Sequence, residues 1–191
     1  MKTTEPIRSK QDVYRLTQYY RAKGQIRNLV LVTLGIHTAL RISDILRLTW
    51  DDVRDFAHKR MRASICITEK KTGKAKIIAL NPSVVQALTL LLSAARPGRA
   101  LIENERTGKA ISRIQAYRII RAAAEALGFE QRVSCHSLRK TFGYHSWKEG
   151  ISPAIIMEIY NHSSLQVTRR YLGVTQDDLN SCYLQLSFAG F

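Results

Sequence analysis

The sequence has few of the residues that staple or anchor a chain. Its three cysteines, Cys66, Cys135 and Cys182, are scattered and odd in number. No C-x-x-C pair or Cys/His cluster accompanies them, so neither a zinc site nor a secreted disulfide framework is indicated. The longest apolar stretch, residues 29–40, is broken by Thr33, Gly35, His37 and Thr38. It is too short to span a bilayer and reads as a buried helix. The opening Met1-Lys2-Thr3-Thr4-Glu5-Pro6 has no apolar region of signal type, so a cytoplasmic location and no membrane partner are expected. Acidic residues are scarce, 15 against 30 lysines and arginines, and the net charge is +15. No D-x-D or E-x-x-H cluster appears, so no metal and no other cofactor is expected. What the charge does favour is a polyanionic partner, nucleic acid before membrane.

At 191 residues, 45% of them apolar, the chain is long enough for one domain with its own core, and residues 1–191 are taken as one. Ser9 with Asp12 reads as a helix start, and Val13, Leu16 and Tyr20 continue at helical spacing until Gly24. Residues 43–48 read as a short helix closed by an exposed-looking Trp50-Asp51-Asp52. Residues 61–68 alternate, with Met61, Ala63, Ile65 and Ile67 on one side, as a half-buried strand does. The turn Lys71-Thr72-Gly73-Lys74 and a second strand over 75–80 complete a hairpin. Further helices are expected from Pro82 to about residue 95, over 112–127, near 137–148, and over 153–160 with Ser152 as its cap. Ser163 with Gln166 then starts a helix that reaches Tyr171 and ends at Gly173. The expected fold is mainly α with a small antiparallel β-sheet. An apolar tail, Leu179, Tyr183, Leu184, Leu186 and Phe188, follows from about residue 175 to 191.

The chemistry concentrates in the last third. In His136-Ser137-Leu138-Arg139 an imidazole and a guanidinium stand three apart, which on a helix is one face. His162 follows, and Tyr171 comes nine residues after it. On one continuous helix that spacing would put the two on opposite faces; a helix start between them lets the tyrosine swing back. Far upstream lies Arg41, in Arg41-Ile42-Ser43-Asp44. These are the parts needed to attack a phosphodiester with a phenolic oxygen. The pentacoordinate state carries extra negative charge, and a guanidinium meets it with a planar fork that stays protonated. A phenolate, with a pKa of about 10, also leaves more easily than a serine alkoxide.

In that order and spacing, Arg41, His136-x-x-Arg139, His162 and Tyr171 resemble the catalytic signature of the tyrosine recombinases, the phage integrase family, from about residue 25 to residue 175. Arg41-Ile42-Ser43-Asp44 stands where that family has Arg-x-Ser-Glu/Asp, and Lys71-Thr72-Gly73 where it has a hairpin lysine, with Lys70 and Lys74 as competitors. The resemblance implies the recombinase catalytic-domain fold and site-specific cleavage and rejoining of double-stranded DNA through a 3′-phosphotyrosine. It implies that Lys71 protonates the departing 5′ oxygen and that the histidines serve as acid/base and orienting groups. It also implies a homotetramer on DNA, with the C-terminal tail packed on a neighbour or on its own domain, and accessory DNA-bending proteins are conceivable. Asp44 is expected to support the site, by pairing with Arg41 or by orienting a histidine.

Three departures stand out. Tyr160-Asn161-His162 replaces Leu-Gly-His, and Asn tolerates the left-handed conformation a glycine would take. Lys140 replaces a histidine after Arg139. The stretch before Arg41 has too little room for the family's usual front clamping domain, so the chain looks like the short recombinases that flip fimbrial promoter switches, or like a piece cut from a longer member of the family. Tyr117, Tyr144, Tyr160, Tyr183, His37, His58 and His145 are read as structural, and Arg169 and Arg170 as either phosphate contacts or solvent-facing. The rival functions are a type IB topoisomerase, a non-catalytic DNA-binding regulator derived from a recombinase, and an unrelated basic helical protein.

Overall fold

The computed structural model describes residues 4–185. Ten α-helices and six short strands occupy that range: α1 Lys10–Ala22, α2 Ile26–His37, α3 Ile42–Ile45, α4 Trp50–Val53, β1 Arg54–Asp55, β2 Arg60–Met61, β3 Ser64–Thr68, β4 Ala75–Ala79, α5 Pro82–Leu90, β5 Glu103–Asn104, β6 Lys109–Ala110, α6 Arg113–Ala126, α7 Cys135–Lys148, α8 Pro153–Tyr160, α9 Leu165–Leu172 and α10 Gln176–Gln185. The mainly helical expectation holds, but the sheet is three separate antiparallel hairpins, β1–β2, β3–β4 and β5–β6. The strand expected over 61–68 begins only at Ser64, because Arg60–Met61 pairs with Arg54–Asp55 instead.

α2 is apolar on all sides and buried from Asn28 to Ile36, so it forms the axis of the domain. Two cores form around it. Leu31, Leu34, Ile45, Trp50, Ile65 and Leu88 pack in one; Leu16, Tyr20, Val32, Ile120 and Leu138 pack in the other. Trp50 is therefore not exposed but fully inside, because α4 packs on β3 and the indole belongs to the first of these cores. α7 can lie close on α2 because position 35 is glycine: a Cβ there would sit 2.7 Å from Leu138 Cδ1. That contact fixes the helix carrying His136 and Arg139.

A third, smaller core of Ala39, Ile156, Tyr160 and Leu172 lies beneath α8 and α9. The start of α9 is capped by Ser164, whose Oγ accepts from Val167 N, one residue later than the Ser163–Gln166 box expected. Ser163 remains in the linker between the two helices. α10 is docked by Lys148 Nζ to Asp178 Oδ1 at 2.5 Å and by Asp178 Oδ2 accepting from Thr175 N. Leu179, Tyr183 and Leu184 on it are exposed. Leu186 and Phe188 lie outside the described residues.

Candidate active site

The corner after α8 does most of the assembly. Asn161 takes φ 53° and ψ 43°, the left-handed conformation in which a glycine is usual. The chain then turns back through His162 into α9. This brings the Tyr171 ring to 4.5 Å from the His162 ring, 4.9 Å from the His136 ring and 5.2 Å from the Tyr160 ring, centroid to centroid. His162 Nδ1 lies 3.1 Å from Thr168 Oγ1, a buried hydroxyl one turn before the tyrosine, so the imidazole is oriented by the helix that carries Tyr171.

His136 and Arg139 share one face of α7, as their spacing requires. They line a groove with Arg41, Lys70 and Lys71, and Arg113, Tyr117 and Arg132 line it as well. Of the competing hairpin lysines, Lys70 and Lys71 line this groove and Lys74 does not. Arg139 is 1% exposed and has no carboxylate partner. Its guanidinium donates to the carbonyls of Ala39 and Tyr160 and lies 4.5 Å from the Tyr160 ring centroid, while Nε is buried without a partner. Ala39 presents its carbonyl from φ 55°, strained for alanine, in a turn held by Thr38 Oγ1 donating to Leu34 O and accepting from Leu40 N. The turn that feeds Arg41 into the site is thus the one that receives Arg139.

Arg41 is the extended N-cap residue of α3, and its Nη1 pairs at 3.0 Å with Glu69, not with Asp44. An extended cap residue does not lie on the i, i+3 ridge of the helix, so the local pair expected from the sequence does not form. Asp44 Oδ1 instead accepts from Lys70 N at 2.9 Å, with Arg47 4.0 Å away. Neither a histidine nor Arg41 is its partner; it ties α3 to the hairpin tip beside Lys71.

Two groups at this site, Glu69 and Lys76, were not singled out from the sequence, and two others, Tyr160 and Lys140, were not read as part of the site. Glu69 is fully buried and gathers Arg41, Thr72 Oγ1 at 2.9 Å and Asn161 Nδ2 at 2.9 Å on one oxygen. Burial works against its charge, yet the hydrogen bonds from Asn161 and Thr72 and the Arg41 cation hold its pKa below the ordinary value. The alternation through Ile65 and Ile67 continues to Glu69, and that was the available signal. Lys76 pairs across the sheet with Ile67, hence on the same face, and its Nζ donates to Ile159 O at 2.5 Å. Burial, then the Arg139 charge, lowers its pKa to about 8. Tyr160 Oη donates to Arg139 O at 2.5 Å, and Gly143 leaves the room this needs. Lys140 lies 5.6 Å from the Tyr171 ring centroid and donates to Thr4 O.

The electrostatics follow from crowding cations. Burial, then the charges of Lys140 and Arg139, push the His136 pKa down from 6.5 to about 4. Burial, then Arg139 and Arg41, do the same to His162. Both imidazoles are neutral at pH 7. The remaining histidines stand apart: His145 bonds Ile7 O, His37 lies against Asn81, and His58 against Asp55. Cys135, beside the site, is pushed up to about 11 by burial. Among the described residues no group of three or more His, Cys, Asp or Glu could hold a metal ion. Among the same residues no helix is long and apolar enough to cross a membrane.

The helical frame, with Arg41, His136 and Arg139 on one groove and Tyr171 packed against both His136 and His162, is the catalytic-domain fold of a tyrosine recombinase. The crystal structure of XerA recombinase has the same fold at TM-score 0.77 and 20% identity, over 98% of this chain and 66% of that one. The post-cleavage complex of XerH recombinase on its palindromic difH substrate gives 0.76 and 18%, over 97% of this chain and 54% of that one. Residues 8–177 match the model of the phage integrase family, and the chain belongs to that family. It is 39% identical over 183 residues to the "Probable integrase/recombinase YoeC" of Bacillus subtilis, covering 96% of this chain and 97% of that protein. It is 30% identical over 164 residues to tyrosine recombinase XerD of Corynebacterium glutamicum, covering 83% of this chain and 52% of that protein. The chain thus matches YoeC along nearly its full length and about half the length of XerD.

Proposed function

We propose that this protein is a site-specific DNA recombinase acting through a 3′-phosphotyrosine intermediate, with residues 1–191 as one catalytic domain. The observation that carries the reading is the placement of Tyr171 between two neutral imidazoles, beside a groove lined by Arg41 and Arg139. Arg41 and Arg139 take the non-bridging oxygens of the scissile phosphate, where the charge of the pentacoordinate state develops. Tyr171 Oη forms the new bond to phosphorus and gives its proton to the histidine pair. The bond from phosphorus to the 5′ oxygen breaks, and that oxygen leaves with a proton from Lys71. The phosphotyrosine keeps the bond energy, so a free 5′-hydroxyl can reverse the attack on the same or another strand without ATP.

Double-stranded DNA is the partner that the groove and the +15 charge suit. A homotetramer on two sites is the assembly this strand exchange needs, and the exposed Leu179, Tyr183 and Leu184 of α10 suit a contact with a neighbouring subunit. Accessory DNA-bending proteins belong to the same proposal. The test is incubation with a nicked duplex carrying the ends of the protein's own element, so that the cleaved 5′ fragment diffuses away. A protein–DNA adduct that survives denaturation and is destroyed by protease is expected; no adduct on any such end would refute the reading.

A further inference from the structure

We infer that Glu69 is a positioning residue for the reaction: one buried carboxylate sets both the phosphate-facing Arg41 and, through the Asn161 side chain, the corner that carries His162. This rests on the reading above that Arg41 and His162 serve the scissile phosphate.

Three observations carry it. The Glu69 side chain is fully buried, where a carboxylate is tolerated only with strong partners. Those partners come from three elements far apart in sequence: Arg41 ahead of α3, Thr72 in the hairpin tip and Asn161 at the end of α8. And the corner is tied at successive residues, with Lys76 of the same hairpin on Ile159 O, Arg139 on Tyr160 O and Glu69 on the Asn161 amide. A glycine at 161 would give the same backbone turn without the tie. The asparagine gives both, and its amide meets the one carboxylate that also holds Arg41. Glu69 Oε1 is left buried without a partner, so Oε2 alone carries the two hydrogen bonds and the Arg41 ion pair, in which Nη1 lies 3.0 Å away outside hydrogen-bond geometry. The position of His162 and the position of Arg41 are therefore coupled through a single atom. Reacting groups displaced by about 1 Å lose on the order of 10²-fold in rate, so such a coupling is a lever on catalysis.

The two arms can be separated by the substrate. Glu69→Gln weakens the hold on Arg41, whose work is to meet phosphate charge. On a nicked duplex the Gln variant is expected to form adduct on the order of 10²-fold more slowly than wild type. With a neutral methylphosphonate at the scissile position that deficit should shrink to a few-fold, on the order of 3. Asn161→Gly keeps the left-handed turn and the Arg41 pair but cuts the other arm, so its deficit should be the same on both substrates. An equal deficit of the Gln variant on the two duplexes would mean a merely structural role and overturn the inference.

A second measurement needs no DNA. In wild type the Asn161 side-chain amide is expected to exchange slowly with solvent by NMR, and the His162 ring signals should shift in both variants. Rapid exchange in wild type, or unmoved His162 signals in Asn161→Gly, would also overturn it. If wild type shows the NMR protection but no adduct, the recombinase reading fails while the Glu69 contacts stand. If wild type cleaves and the Gln variant cleaves equally well, the inference alone fails.

Discussion

The site has two sides, built by different means. The helical side, α7 to α9, arranges His136, Arg139, His162 and Tyr171 largely by local rules: an i, i+3 pair, a one-residue left-handed corner, and Thr168 one turn from Tyr171, with the Arg139 bond to Ala39 O as its long-range tie. The hairpin side holds Arg41 and Lys71 through contacts between distant segments, Arg41 to Glu69, Asp44 to Lys70 and Asn161 to Glu69. The two arginines show the difference most clearly. Arg139 borders the groove but is nearly buried, donating to two backbone carbonyls and facing no carboxylate, whereas Arg41 is more open to the groove and has a buried counter-charge. The helical side is over-determined by packing; the hairpin side is held by a few polar atoms and can be adjusted through them.

The sharpest way to break the comparison is at its centre. Tyr171→Phe removes one hydroxyl and leaves the ring contacts with both histidines. Adduct formation should disappear while DNA binding, read by anisotropy, stays at the wild-type level. An adduct at near wild-type rate would remove Tyr171 as nucleophile.

The arginines come next. Arg41→Ala and Arg139→Ala should each slow cleavage on the order of 10²-fold or more, as loss of a charge partner in the transition state does. They should differ in how their stability depends on pH. Arg139→Ala leaves the Ala39 and Tyr160 carbonyls buried without their donor, at a cost of about 1–3 kcal/mol each. Arg41→Ala strips the buried Glu69 carboxylate of its counter-charge, a cost of similar or greater size. Chemical denaturation should therefore show both variants destabilised at pH 7, with the Arg41→Ala deficit shrinking as pH falls and Glu69 takes a proton; an equal pH dependence of the two deficits would contradict the two-sided description. Wild-type cleavage in EDTA should run unchanged; a loss restored by Mg²⁺ would refute the residue-only mechanism.

That contrast also explains what the sequence made legible. His136 and Arg139 on one face, the left-handed tolerance of Asn161 and a helix break before Tyr171 are local rules, and the structure brings those residues together. The break itself sits one residue later than expected because Ser164, not Ser163, offers its hydroxyl to a free helix N–H. Glu69 was passed over because a glutamate beside two lysines at a hairpin tip looks like ordinary turn charge. Its role depends on Arg41 and Asn161, neither of them near it in sequence. The same blindness misassigned Asp44, which lies beside Arg47 and accepts from Lys70 N while Arg41 goes to Glu69, and left Trp50 on the surface when tertiary packing puts it inside.

On the hairpin side, Lys71→Ala is expected to slow cleavage by about 10²-fold, the low end for loss of a general acid. A duplex with sulfur in place of the leaving 5′ oxygen sharpens the point, because a thiolate departs without a proton. On that duplex Lys71→Ala should cleave at nearly the wild-type rate, while Arg41→Ala stays slow. If Lys71→Ala is equally impaired on both, Lys71 holds DNA rather than donating the proton, and Lys70 becomes the next lysine to test in the groove.

The gentlest discrimination is by pH, since the two sides carry buried groups that titrate at opposite ends. His136 and His162 have folded pKa values near 4 against 6.5 in the open chain. Between those values the unfolded chain binds more protons, so their contribution is fully present above 6.5 and is lost as pH falls toward 4. Lys76 has a folded pKa of about 8 against 10.5, so the same argument makes stability rise from pH 8 to 10.5 on its account. Melting temperature measured from pH 4 to 10.5 should lose part of its acid slope in His136→Asn, with the alkaline slope unchanged. Lys76→Met should do the opposite, flattening the rise above pH 8 and leaving the acid limb alone. Parallel curves for wild type and both variants would mean that neither side of the site buries its titrating group as described.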